Sequence, residues 1–314
     1  MDKLKVGVVG TGGWGKNHLR VFNELGVLNC LCDIDPTRAA QWSQKYGCKG
    51  YTDLDKMLEA ENLDAVTICV PTTMHFAIAS KVLAKKINAF VEKPMTATSS
   101  DGQKLVELAK DSGAFLTVGF IERFNQAVSD TKQALKEKVL GEPLLLEFHR
   151  ENKWAGNITD VGIVADTTVH DIDTARWLFD EEPRVVYARL GNVISEKRED
   201  FAAITLGFKG MKTAFLVSNW VTPKKLRLLT VVCTQGVITL DFITQETRFD
   251  DSKGTTIPRR DFKEPLMAEM TSFLDALKNG RAPLVKPKDG LNNTIVAEAA
   301  VASNMSGTPI YLNL

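Results

Sequence analysis

Short apolar runs recur through the first 120 residues, separated by longer amphipathic stretches. The runs are Val6, Val8 and Val9, then Val27 to Cys32, Asp64 to Val70, Ile87 to Val91 and Phe115 to Val118. Their near-continuous apolar character suits strands of a parallel sheet covered on both faces. The intervening stretches read as helices. One opens at Asp35 and runs to Lys45, with Pro36 in its first turn. Others run from Leu54 to Ala60 behind the cap Asp53, from Thr73 to Ala84 and from Ser99 to Asp111. Strand and helix in strict alternation predict a doubly wound α/β domain over residues 1–120.

Beyond Gly119 the pattern changes. A helical stretch from Glu122 to Lys138 stops at Gly141-Glu142-Pro143, and strand-like runs then dominate. These are Leu144 to Glu151, Arg184 to Ile194, Ala202 to Phe208, Thr213 to Asn219, Leu226 to Cys233 and Val237 to Phe242. Short, turn-rich connections predict a mostly antiparallel sheet. Helices return from Pro265 to Lys278 and Gly290 to Met305, before a last strand, Pro309 to Leu312. Residues 121–314 therefore read as an α+β domain built on a large open sheet. Its far face needs a cover, which a second copy of the chain can supply.

The first strand leads into Gly10-Thr11-Gly12-Gly13-Trp14-Gly15, a G-x-G-x-x-G turn with a strand before it and a helix after it. Gly10 permits the turn, Gly12 lets the backbone approach a pyrophosphate, and Gly15 lets helix and strand pack closely. The helix N-terminus attracts phosphate charge. Asp33 follows the next strand, about twenty residues on, where a ribose-binding carboxylate belongs. An ordinary Gly-rich turn would not need it. A dinucleotide site is expected here.

Composition removes several classes of partner. The 39 basic and 39 acidic residues cancel, so nothing suggests a nucleic-acid or membrane footprint. The five cysteines show no metal-ligand spacing, and an odd count argues against a disulfide framework. Cys30, Cys32 and Cys69 read as small buried hydrophobes. No apolar stretch reaches spanning length, and the first run is too short for a signal segment. A reduced, cytoplasmic protein without a metal is expected.

Ligands of doubly wound sheets gather at the carboxyl ends of the strands, where Thr72, His75, Lys93 and Arg123 fall. From spacing alone Lys93, in Glu92-Lys93-Pro94, reads first as a solvated strand-end lysine, and His75 equally as a satisfied loop histidine. The second domain carries Asp166-Thr-Thr-Val-His170-Asp-Ile-Asp173-Thr-Ala-Arg-Trp177. At about 100° per residue, Asp166, His170, Asp173 and Trp177 fall within roughly 60° of one another on a helix. Val169, Ile172, Ala175 and Phe179 fall on another side, facing the sheet. A histidine flanked by carboxylates suits a general base; a solvated helix face capped by Asp166 is the plainer alternative.

These pieces together resemble the Gfo/Idh/MocA family over essentially the whole chain. The matching residues are the Gly10–Gly15 loop, Pro71 with His75, Glu92-Lys93-Pro94, and Asp166…His170…Asp173. The resemblance implies a Rossmann domain followed by a domain that holds a sugar and forms the oligomer interface, as a homodimer or homotetramer. It implies that Lys93, Asp166 and His170 form the catalytic group. Pro71, Thr72, His75, Glu92 and Arg123 would lie at the cofactor, with Arg123 also at the substrate. Two positions depart from the family pattern: Gln126 stands where relatives commonly carry proline, and Thr72 where many carry asparagine.

Within the family, IERFNQAV, HRENKWAGNITDVGIVADTTVHDID and SNWVTPKKLR are most similar to members that oxidise the 3-hydroxyl of UDP-N-acetylglucosamine. The diphosphate of such a substrate calls for cations. Arg150, Lys153, Lys224, Lys225, Arg259 and Arg260 are available, although surface lysines and arginines are common. The Asp33 carboxylate favours NAD, and a swing of Arg38 would admit NADP. An inositol or free-sugar dehydrogenase of the same family is the alternative. A non-catalytic dinucleotide sensor is the alternative from another class, and it would have no need of Lys93 and His170.

Overall fold

The structure, a computed structural model, describes residues 3–153, 160–259 and 262–314. The chain forms two compact units, residues 1–119 with 266–291 and residues 120–265 with 292–314.

The first unit begins with β1 (Val6–Val9), α1 (Gly15–Glu24), β2 (Leu28–Cys32), α2 (Pro36–Tyr46), β3 (Lys49–Tyr51) and α3 (Leu54–Ala60). It continues through β4 (Ala65–Ile68), α4 (His75–Ala84), β5 (Asn88–Glu92), α5 (Ser99–Ser112) and β6 (Leu116–Gly119). The strands form a parallel sheet in the order β3-β2-β1-β4-β5-β6, the doubly wound order with its switch point between β1 and β4. Local chemistry sets the helix ends. Asp35 accepts from the N–H of Thr37 and Arg38 ahead of Pro36, and Gly47 ends α2 at a φ of 63°. Asp53 caps α3 in the same way. The edge strand β3 escapes the apolar pattern, because Lys49-Gly-Tyr51 is short and polar and is held by pairing with β2.

The second unit holds α6 (Gln126–Lys136), β7 (Pro143–Glu151), a π-helical turn (Val164–Thr168) and α7 (Val169–Phe179). Strands β8 (Val185–Gly191), β9 (Phe201–Gly207), β10 (Thr213–Asn219), β11 (Leu226–Cys233), β12 (Gly236–Asp241), β13 (Thr247–Asp251) and β14 (Gly254–Thr256) follow. The chain closes with α8 (Pro265–Lys278), α9 (Pro287–Ser306) and β15 (Ile310–Tyr311). The sheet runs β14-β13-β12-β11-β7-β10-β9-β8-β15, antiparallel throughout except between β7 and β10. The expected helix from Glu122 is in fact a 3-10 turn, Ile121–Phe124, followed by α6. Asn125 breaks the two apart by capping α6 from an extended conformation.

One sheet face is apolar. Leu146 and Phe148 of β7, Leu216 of β10, and Leu229 and Val231 of β11 are buried with Val169, Ile172, Ala175 and Phe179 of α7. The other face leaves Tyr187, Phe201 and Phe215 exposed. Tyr187 and Phe215 flank Thr205 in register.

A single cut at residue 120 misses the return of 266–291 to the first unit. Phe273 meets Phe90 edge-on at 5.6 Å, and Thr117 donates to the Val285 carbonyl at 2.9 Å. An amphipathic pattern shows that α8 has a buried face but not which sheet that face covers.

Candidate active site

The Gly10–Gly15 turn has the steric form a dinucleotide needs. Gly10 has a φ of 82°, and a Cβ there would meet the Cys69 backbone at 2.8 Å; one on Gly15 would lie 1.9 Å from the Gly10 carbonyl oxygen. Above Gly12 and Gly13 there is open space. Asp33, at the end of β2, accepts from both the N–H and the hydroxyl of Thr11 at 2.8 Å, tying the loop to the strand end. Burial alone would push the carboxyl up, but hydrogen bonds from Arg38, Asp35 and Thr11 hold it at about 2. Arg38 reaches Asp33 at 2.9 Å while its side chain stays 45% exposed. A pair that open to water exchanges partners at little cost. The residues present therefore fit a bound NAD: the loop can receive the pyrophosphate and Asp33 a ribose hydroxyl.

At the end of β5, Glu92, expected from the sequence at the cofactor, is an anchor for its neighbours. Its Oε1 accepts from the Trp14 indole at 3.0 Å and the His18 imidazole at 2.9 Å, and its Oε2 from the Lys93 N–H at 3.2 Å. The other His18 nitrogen meets the Thr67 hydroxyl at 3.0 Å. Burial alone would discharge this ring, but the Cys69 sulfur and the Glu92 carboxylate outweigh it and raise the histidine to about 10. Cys69 itself is only half-buried, so it is not the core residue its apolar run suggests. The Lys93 side chain is partly open, and the Lys93–Pro94 bond is cis. His75, 1% exposed, has both ring nitrogens on backbone carbonyls, those of Pro94 at 2.8 Å and Val70 at 2.9 Å. It fastens the ends of β4 and β5 together and offers no open nitrogen to a cofactor. Pro71 is exposed on the same rim, and Thr72 is buried. His18 is a residue that sequence reasoning missed; its only signal was the helical spacing that buries it with Phe22.

In the second unit, α7 is buried at almost every position. His170, and Asp166 in the π turn before it, remain partly open. Turns of this kind are rare and recur at functional sites. The Asp166 carboxylate accepts from the Thr167 hydroxyl at 2.9 Å, and that hydroxyl accepts from the Trp220 indole at 3.1 Å. The expected stripe does not survive intact. Asp173 (1% exposed) takes a bidentate pair from Arg123 (5% exposed), at 2.9 and 2.6 Å. Asp173 thus fixes Arg123. Arg123, expected at cofactor and substrate, has its fork turned inward.

Arg150 also differs from expectation. It is 1% exposed, donates to Asp171 at 2.8 Å and Glu122 at 2.9 Å, and lies 4.8 Å from the Phe242 ring. It is therefore no free cation for a diphosphate. The alternation Leu146, Phe148, Arg150 places it on the apolar face, a signal the sequence carried. Burial pushes the Asp171 carboxyl up to about 6 despite Arg150. Lys153, Lys224, Lys225 and Arg259 are exposed, and Arg260 lies outside the described residues. Arg227, opposite Arg150 on β11, was not among the expected cations.

Comparison with known proteins matches this architecture. Residues 4–120 fit the model of the Gfo/Idh/MocA oxidoreductase family, NAD-binding Rossmann fold, and residues 128–239 fit the Gfo/Idh/MocA C-terminal domain. The chain is 28% identical to inositol 2-dehydrogenase of Rubrobacter xylanophilus, over 98% of its own length and 93% of that protein's. It is 25% identical to UDP-N-acetylglucosamine 3-dehydrogenase of Acidithiobacillus ferrooxidans, over 88% and 90%. An oxidoreductase from Agrobacterium radiobacter, solved with NAD+, L-tartaric acid and magnesium, superposes with a TM-score of 0.91 at 21% identity, covering 99% and 98% of the two chains. With both halves matched, the chain belongs to the Gfo/Idh/MocA family of oxidoreductases and is an enzyme with an NAD-binding Rossmann domain.

Proposed function

We propose that this enzyme oxidises a secondary hydroxyl of a sugar, and that its substrate is UDP-N-acetylglucosamine, oxidised at the 3-position. One observation carries the site assignment: along α7 and the π turn before it, buried almost throughout, Asp166 and His170 are the ionisable side chains left partly open. His170 takes the hydroxyl proton. Asp166, held by the Thr167–Trp220 chain, supplies negative charge that favours the imidazolium so formed. Lys93 donates to the same oxygen and stabilises its developing negative charge. The nicotinamide, when bound, accepts the hydride. Glu92 and His75 act through the backbone, Glu92 on the Lys93 N–H and His75 on the Pro94 carbonyl. Asp33 selects NAD over NADP.

Oxidation of an inositol is the second reading, supported by a relative of that activity at comparable identity. The exposed Tyr187, Phe201 and Phe215 of the open sheet favour a homodimer or homotetramer that covers this face. Free cysteines throughout suit a reducing, cytoplasmic setting.

The test is NADH formation, followed by absorbance, with UDP-N-acetylglucosamine, free sugars and inositols, and with a ketone trap to draw off product. Turnover confined to the nucleotide sugar is expected. Turnover of an inositol alone would keep Lys93 and His170 but discard the proposed substrate.

A further inference from the structure

Antiparallel pairing of β7 and β11 sets Arg227 directly opposite Arg150, one pair beyond Phe148 and Leu229 on the same face. Opposed residues leave a sheet on the same side, so two guanidinium groups enter the α7-covered face together. Their surroundings differ. Arg150 pairs with both Glu122 and Asp171, though its Nη2 is buried without a partner. Arg227 forms no ion pair among the described residues, and its Nε is buried without an acceptor. Lys225, two residues earlier, has no carboxylate partner among those residues either.

The cations feel one another directly. Burial and then the charge of Arg150 lower the proton affinity of Arg227, and Arg227 is in turn the largest influence lowering that of Lys225. Asp166 is among the charges that reach Arg227. Glu122 and Asp171 also act on Arg227, so its charge is met within the cluster, but a buried donor without an acceptor still calls for one. The planar fork of arginine matches the paired oxygens of a phosphate or carboxylate.

We propose that Arg227, with Lys225 beside it, forms a subsite for an anionic group of the substrate, a phosphate or a carboxylate. The subsite rests on the reading that Asp166 and His170 mark the reacting end. It makes the substrate an acidic sugar derivative and replaces Arg150 as the origin of charge recognition.

The test uses the full-length protein saturated with NAD, which closes the glycine loop to added phosphate. Thermal midpoints are read at fixed ionic strength with pyrophosphate, UDP, glucuronate or myo-inositol, for wild type, Arg227→Leu and Arg227→Lys. Without an anion the Leu variant should still unfold cooperatively, so that its response to added anions can be read. One anion class should raise the wild-type midpoint, Arg227→Lys should keep part of that rise, and Arg227→Leu should lose it. A response to pyrophosphate and UDP identifies a phosphate source, and one to glucuronate a carboxylate. On the anionic substrate, kcat/KM of Arg227→Leu should fall at least about tenfold. Equal responses in wild type and the Leu variant, or no response to either class, overturn the subsite. Turnover of the nucleotide sugar with unchanged kcat/KM in the Leu variant also overturns it while leaving the proposed substrate standing. An Arg227-dependent response without nucleotide-sugar turnover does the reverse.

Discussion

Two buried polar clusters flank the groups proposed to do the chemistry, one in each unit, and they are built differently. In the first, Glu92 receives Trp14, His18 and the Lys93 N–H, and the second His18 nitrogen meets Thr67. One acid faces one base, and both His18 nitrogens have partners. In the second, Arg150 pairs with Glu122 and Asp171, and Arg227 lies opposite it with its Nε buried and without an acceptor among the described residues. The closed cluster can only position its neighbours. The open one retains a hydrogen-bonding demand that a ligand can meet. Buried ionisable groups thus divide into scaffold and recognition by whether their hydrogen bonds and charges close on themselves.

The largest effect on this contrast comes from breaking the matched part of the second cluster. Arg150→Met leaves Glu122 and Asp171 buried without their cation and should cost about 3–5 kcal/mol of stability in urea unfolding. The loss should be greater at pH 8 than at pH 5, because a carboxyl already raised to about 6 is protonated at the lower pH.

Next comes the charge on His18. Its pKa is raised from 6.5 to about 10 on folding, so its stabilisation is full below pH 6.5 and is lost as pH rises toward 10. Stability of the wild type should therefore decline between pH 6.5 and 9 more steeply than that of His18→Gln, measured by urea unfolding across that range. Equal slopes would mean that the first cluster is not an ion pair.

The smallest effect belongs to the cofactor rim. Arg38→Ala opens a pair whose arginine is 45% exposed and should change stability by less than about 1 kcal/mol. Asp33→Ser removes the negative charge facing a 2′-phosphate and should raise the NADP-to-NAD ratio of kcat/KM about tenfold.

Much of this was legible in the chain. The glycine turn, Asp33, the lysine at a strand end and the apolar face of α7 follow from local period and spacing. What stayed hidden depends on contacts between distant positions. Arg123 finds Asp173 fifty residues away, and Glu92 finds His18 seventy-four residues away; no helical wheel or strand alternation carries such pairs. The π turn at Asp166 shifts the angular arithmetic that put Asp166 and Asp173 in one stripe. Arg150 was misread for another reason. Its place in the β7 alternation pointed inward, and the general habit of arginine for the surface was given more weight.

The central claim is that Lys93 and His170 perform chemistry rather than hold structure. The direct measurement is the rate of NADH formation at saturating NAD for wild type, Lys93→Ala and His170→Ala, with NAD affinity measured on the same samples. The account predicts rates lower by about 10²–10⁴ in both variants, with NAD affinity largely retained. Near-normal rates in both would contradict it.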